Sequence, residues 1–188
     1  MDILTIILLI IGGIFFVAMF RIRAASKRQS RTKKAFENIA GFSPDYQFAS
    51  FYSKTGIAID KEQKKVAFST ENNDIKTYHF SKINSVRAEI NDQEITKTNR
   101  GSQLVGAAAG GILLGGAGAL VGALSGSKNQ QIKLAKVKLQ ITVNDLDTPF
   151  YEIIFYDDTP VKKEGIVAQD ALKDADTWLH RLNVVIVD

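Results

Sequence analysis

Hydrophobic and polar positions alternate in four distinct ways along this chain. From Ile3 to Phe20 the sequence reads ILTIILLIIGGIFFVAMF, eighteen residues without a charge. At about 1.5 Å per residue they make roughly 27 Å of helix, close to the ~30 Å hydrocarbon thickness of a bilayer. From Ile57 to Thr98 the pattern changes to period two. Ile57 and Ile59, Val66 and Phe68, Ile75 to Phe80, then Val86, Ala88 and Ile90 recur between polar turns such as Lys61–Lys64, Glu71–Asp74 and Asn91-Asp92. That is a meander of antiparallel strands, with Glu94 to Thr98 able to pair back as a fifth. The alternation is clearest at Ala135, Val137, Leu139, Ile141 and Val143, and an aromatic strand, Phe150 to Tyr156, follows the turn Asn144–Asp147. Last, Ala168, Ala171, Leu172, Ala175, Trp178, Leu179 and Leu182 recur at three- and four-residue steps, the stripe of an amphipathic helix.

Between the two strand regions lies a segment of another kind. Gly101 to Ser127 holds 27 residues without a charge, and Leu104 to Leu124 contains seven Gly, six Ala and eight Leu, Val or Ile. Small residues repeat every four positions: Gly106 and Gly110, Gly111 and Gly115, then Gly118, Gly122 and Gly126. Such spacing lets helix backbones approach closely, whereas in water each interior Gly costs about 1 kcal/mol relative to Ala. A buried setting is expected. A hairpin turning at Gly115-Gly116 has arms of about 16 Å, suited to a re-entrant or membrane-lying pair. A single crossing would split the strands across the bilayer, and a glycine-rich pair buried against the strands is the third arrangement. Phosphate-loop readings fail, because Gly126-Ser127-Lys128 misplaces the Walker lysine and Val121 stands where a dinucleotide fingerprint needs glycine.

Seven strands, a glycine-rich interruption and a terminal helix follow the order of a pleckstrin-homology-like sandwich plugged by its last helix. The segments Gly56-Ile57-Ala58-Ile59-Asp60 and Phe80 to Val86, with Gly101 to Lys128, carry a resemblance to bacterial membrane-anchored proteins. Those proteins bear a pleckstrin-homology-like domain with a glycine-zipper-type insert. The resemblance implies an α+β chain with this organisation: anchor 1–22, basic juxtamembrane helix and linker 23–46, first part of the domain 47–100, membrane hairpin 101–128, and the remainder with its helix 129–188.

Charge sharpens the picture at one place. Arg21, Arg23, Lys27, Arg28, Arg31, Lys33 and Lys34 put seven cations in fourteen residues, leaving 17 cations against 20 acids elsewhere. Cations after rather than before the apolar segment argue for a retained anchor over a cleaved signal peptide, with the N-terminus outside and the domain cytoplasmic at the inner membrane. The same cations can lie along anionic headgroups at about 1 kcal/mol each. Nucleic acid is not expected as a partner.

Catalytic material is sparse. The chain has no Cys and two His, which excludes thiolate chemistry and leaves little for a metal site. His79 is expected to be exposed or on an edge strand and His180 to lie at the surface or act as a helix-dipole partner, while Asp145, Asp147, Asp157 and Asp158 belong to turns. Trp178, Phe150, Tyr151, Phe155 and Tyr156 are expected in the core. No cofactor, metal or catalytic residue is assigned. The expected function is a non-enzymatic membrane-tethered adaptor that binds membrane lipids and either self-associates through its glycines or recruits an unknown protein partner. An oligomeric glycine-helix pore is the alternative.

Overall fold

A computed structural model describes residues 2–100, 120 and 133–187. One long helix, α1 (Ile3–Glu37), is followed by β1 (Tyr46–Ala49), β2 (Gly56–Asp60), β3 (Lys65–Ser69), β4 (Ile75–His79), a 3-10 turn (Phe80–Lys82), β5 (Ile83–Ile90) and β6 (Gln93–Asn99). Beyond the glycine-rich region come β7 (Lys133–Val143), β8 (Phe150–Lys162) and the C-terminal helix α2 (Ile166–Val187). Two antiparallel four-stranded sheets result, ordered β1-β2-β3-β4 and β6-β5-β7-β8. Among the described residues eight strands therefore replace the expected seven, the addition being β1.

The apolar alternation builds the core between the sheets. Ile57, Ile59, Val66 and Phe68 from one sheet meet Val86, Leu139, Ile141, Ile153 and Phe155 from the other. Leu172, Ala175, Trp178, Leu179 and Leu182 of α2 close the same cluster, as the stripe in the sequence requires. Aromatic pairs join the layers: Phe48 stacks on Phe155 at 4.6 Å and Phe68 on Tyr151 at 4.5 Å. Leu120, from within the glycine-rich region, is buried to 1% exposure and belongs to this cluster.

The first sheet is covered on both faces. All five residues of β2 are buried, although Ile57-Ala58-Ile59 alternates in size. The isoleucines point to the core, while Ala58 and Ala67 pack outward with Phe36 and Phe42 in a second cluster. Small outward residues let a helix approach that face, and α1 occupies it.

Strand order also fixes where the glycine-rich region begins and ends. Strands β6 and β7 flank β5 and both run antiparallel to it, so they are parallel to each other. The tight Asn91-Asp92 turn, both residues at positive φ, joins β5 to β6. Asn91 then binds the start of β7, donating from Nδ2 to the Lys133 carbonyl at 2.8 Å and accepting the Ala135 N–H at 2.8 Å. At the other end of β5, Arg100 donates from Nε to the Ile83 carbonyl at 3.0 Å and from Nη2 to the Phe80 carbonyl at 2.7 Å. Its Nη2 also reaches the Val185 carbonyl at 3.3 Å, placing a cation at the C-terminus of α2, where the helix dipole favours it.

Candidate functional site

Helix α1 does not stop where its apolar segment ends. It continues through the cationic run and lies on the outer face of the first sheet, burying Ala25, Thr32 and Phe36. Arg28 Nη2 donates to the Phe51 carbonyl, Gln29 Nε2 to the Ala49 carbonyl at 2.9 Å, and Gln47 Nε2 to Glu37 at 3.0 Å. Gly56 makes the close approach possible. A Cβ there would stand 2.9 Å from the Phe48 carbonyl oxygen, 2.9 Å from Thr32 Cγ2 and 3.2 Å from Phe36.

These bonds set the direction of the domain. Residues 28 and 29 meet 51 and 49, while residue 37 meets 47, so α1 runs antiparallel to β1. Gly56, Ser69 and Ile75 are level with Ala49 in the sheet. The β1–β2 loop and the β3–β4 turn therefore lie at the end of the first sheet nearer the apolar segment. That segment, mean hydropathy 3.0, is unburied and long enough to cross a bilayer.

The seven cations separate into distinct groups. Arg21, Arg23, Lys27, Arg31, Lys33 and Lys34 are exposed, whereas Arg28 is half-buried against the β1–β2 loop. At about 100° per residue, Arg23, Lys27, Arg31 and Lys34 share one arc opposite the docked face. The glycines Gly106, Gly110, Gly111, Gly115, Gly118, Gly122 and Gly126 lie outside the described residues.

Polar side chains elsewhere tie the sandwich together. Tyr78 donates its hydroxyl to Asp145 Oδ2 at 2.6 Å and shares a 2.7 Å bond with Tyr151. The Tyr78 bond, with backbone N–H groups of Asp147 and Thr148, lowers the Asp145 pKa to about 2. Burial, with the Asp145 and Tyr151 bonds, pushes the Tyr78 hydroxyl well above its ordinary value. Lys138 reaches Glu152 at 2.7 Å and Glu89 at 3.1 Å. Burial opposes its charge, but the bonds it donates to Glu152 and Glu89 prevail and raise its pKa.

The two histidines occupy structural positions. His79 is exposed at the end of the edge strand β4, and its Nδ1 accepts the Ser81 N–H at 3.3 Å, capping the 3-10 turn. His180 is at the surface, its side chain 41% exposed, and lies one turn from Asp176 at 3.6 Å rather than at the end of its helix. Among the described residues no three His, Asp or Glu side chains are grouped to hold a metal. Phe150 departs from expectation: it is 52% exposed, not core, because it opens β8 on the face opposite Tyr151. Sequence reasoning also missed the docking of Gly56 and the Arg100 clamp, both contacts between distant segments.

Comparison with known proteins agrees with this architecture. The chain is 34% identical to an immunity protein of Bacillus phage SPbeta, over 96% of this chain and 95% of that one. It is likewise 34% identical to the SPbeta prophage-derived uncharacterized membrane protein YomJ of Bacillus subtilis (strain 168), over 96% of this chain and 84% of that one. No solved structure matches. Residues 46–157, from the first residue of β1 into β8, match the family described as glycine zipper containing PH domain. With its apolar N-terminal helix, two antiparallel sheets and closing α2, this membrane protein belongs to the family of glycine-zipper-containing PH domains.

Proposed function

We propose that this protein is a non-enzymatic adaptor that holds its PH-like domain against the cytoplasmic face of the inner membrane and recruits a partner there. The observation that carries the reading is the docking of α1, which makes anchor and domain one body. The apolar segment crosses with the N-terminus outside, because cations follow it and none precedes it. Arg21 and Arg23 then sit within about 5 Å of the hydrocarbon edge, where anionic headgroups reach them. Lys33 and Lys34 stand about 20 Å from that edge along the axis, beyond the ~8 Å Debye length, and face a partner rather than lipid. The glycine repeat supplies self-association by close helix packing.

One relative is named an immunity protein, and we extend that role to this chain. The test is survival of bacterial cells that express the chain, scored in parallel under challenge with phage and with antimicrobial peptides secreted by Bacillus. The full chain is expected to protect, as is a chimera whose residues 1–22 come from an unrelated membrane anchor. Residues 23–188 without an anchor, and Gly56→Val with its docking broken, are expected to fail. Equal protection by the anchorless chain refutes the tethered adaptor.

A further inference from the structure

A cleft of about 190 Å³ opens where the end of the first sheet meets the free edge of β8. Thr55, Thr70 and Glu71 from the first sheet and its turns face Phe150 and Glu152 of β8 across it. Neither lysine, arginine nor histidine lines it, whereas two acidic residues do. Glu152 Oε1 accepts Lys138 Nζ at 2.7 Å and Gln140 Nε2 at 3.4 Å, and Glu71 Oε2 accepts the Lys54 N–H at 3.3 Å, so each acid keeps its second carboxylate oxygen as an acceptor.

Two features of the wall ask for a donor. The Thr70 hydroxyl oxygen is buried with no hydrogen-bond partner, which costs about 1–3 kcal/mol unless something binds it. The strand edge also presents backbone acceptors. Ile154 turns its N–H away from β7 to Thr55 Oγ1 at 3.2 Å. Two residues earlier in the same ladder, Glu152 has its N–H and C=O on that free edge too. At the mouth, the half-exposed Phe150 offers a ring face, which attracts cations. Carboxylates, a hydroxyl, a carbonyl and a ring together reject anions and suit a compact cation with several N–H donors.

Position selects the source. Ser69 is level with Ala49, which Gln29 contacts nine residues past Phe20, or about 13 Å along α1. Thr70 and Glu71 turn back from there toward the bilayer, whose headgroup layer extends about 5–7 Å beyond the hydrocarbon. We propose that this cleft binds a primary ammonium group, that of an ethanolamine headgroup in the leaflet from which α1 emerges. The site stands on the cleft itself; its lipid source rests on the membrane reading above.

The test uses the full chain and thermal unfolding. In maltoside micelles, glycerophosphoethanolamine and free ethanolamine at tenfold above Kd should raise Tm by roughly 3–6 °C. Glycerophosphocholine, a cation without N–H donors, should not. Glu71→Gln and Glu152→Gln should fold and lose the response, while Glu62→Gln, at an exposed hairpin tip, keeps it. In nanodiscs of phosphatidylglycerol, adding 30% phosphatidylethanolamine should raise Tm where phosphatidylcholine does not. No response to either amine, an equal response to the choline compound, or a response surviving both glutamine variants overturns the site. A response in micelles without one in nanodiscs overturns the headgroup as its source and leaves the tether to the anchor-deletion test.

Discussion

Replacing residues 101–132 by flexible Gly/Ser linkers of four and of twenty residues turns the strand order into a measurement. Arg100 N–H donates to the Asn84 carbonyl at 2.6 Å, and the Lys133 carbonyl accepts Asn91 Nδ2 at 2.8 Å. Seven residues of β5 separate those attachment points, about 23 Å at ~3.3 Å each, with two strand spacings of ~4.8 Å across β5. The linker must therefore span about 25 Å. Four residues make five steps and reach about 18 Å at full extension, so β6 has to leave β5. Twenty residues have a root-mean-square span of about 22–27 Å and satisfy the geometry. Either replacement also removes Leu120 from the core, at about 3 kcal/mol for a buried leucine and its cavity. For a chain of this size that is roughly 6–12 °C in Tm.

The assay is thermal unfolding of the full chain in micelles, followed by the fluorescence of Trp178 and by strand circular dichroism. The twenty-residue variant should melt cooperatively 6–12 °C below the parent. Leu120→Ala alone should reproduce most of that loss, and the four-residue variant should lose strand signal. If both linkers melt at the same temperature with full strand content, β6 and β7 do not flank β5 and the topology is wrong.

Gly56→Val should cost about 1–3 kcal/mol, because backbone at Phe48 and the side chains of Thr32 and Phe36 crowd the position. Limited proteolysis should then cut between α1 and β1, and an unchanged cleavage pattern would refute the docking. Asp145 has its folded pKa lowered from 3.8 to about 2, so its contribution is present above pH 4 and lost as pH falls toward 2. Acid titrations should show a stability slope between those values that Asp145→Asn or Tyr78→Phe flattens. Ser30→Cys, in a chain without native thiols, should resist an impermeant reagent in intact cells and react after lysis. Reaction without lysis would reverse the orientation.

Most of the strand and helix pattern was legible because each element carries one exposed and one buried face. The α2 stripe is the clearest case, with every residue of its predicted face buried. Strand β1 escaped notice because Tyr46 to Ala49 is four residues long and has no alternating run to announce it. The aromatic run Phe150 to Tyr156 marked β8 but not its length, since Asp157 to Lys162 is polar and contains Pro160. That proline is tolerated because β8 is an edge. The candidate site was the least legible part. The role of Gly56 depends on Thr32 and Phe36, which lie twenty or more residues away, and Phe150 reads as core until the face on which β8 starts is known. The cationic run announced a topology, yet only the docked helix distinguishes Arg28, which holds the β1–β2 loop, from its exposed neighbours.

A helix shared between bilayer and domain behaves as a lever. Glu37 lies seventeen residues past Phe20, about 25 Å along the axis. Each additional 10° of tilt in the anchor swings that end sideways by about 4 Å and carries the sandwich with it. Transmembrane helices answer changes in bilayer thickness by tilting. Thickness of the surrounding membrane is thereby converted into the height and attitude of the β1–β2 loop above the lipid, without any ligand or any change within the domain.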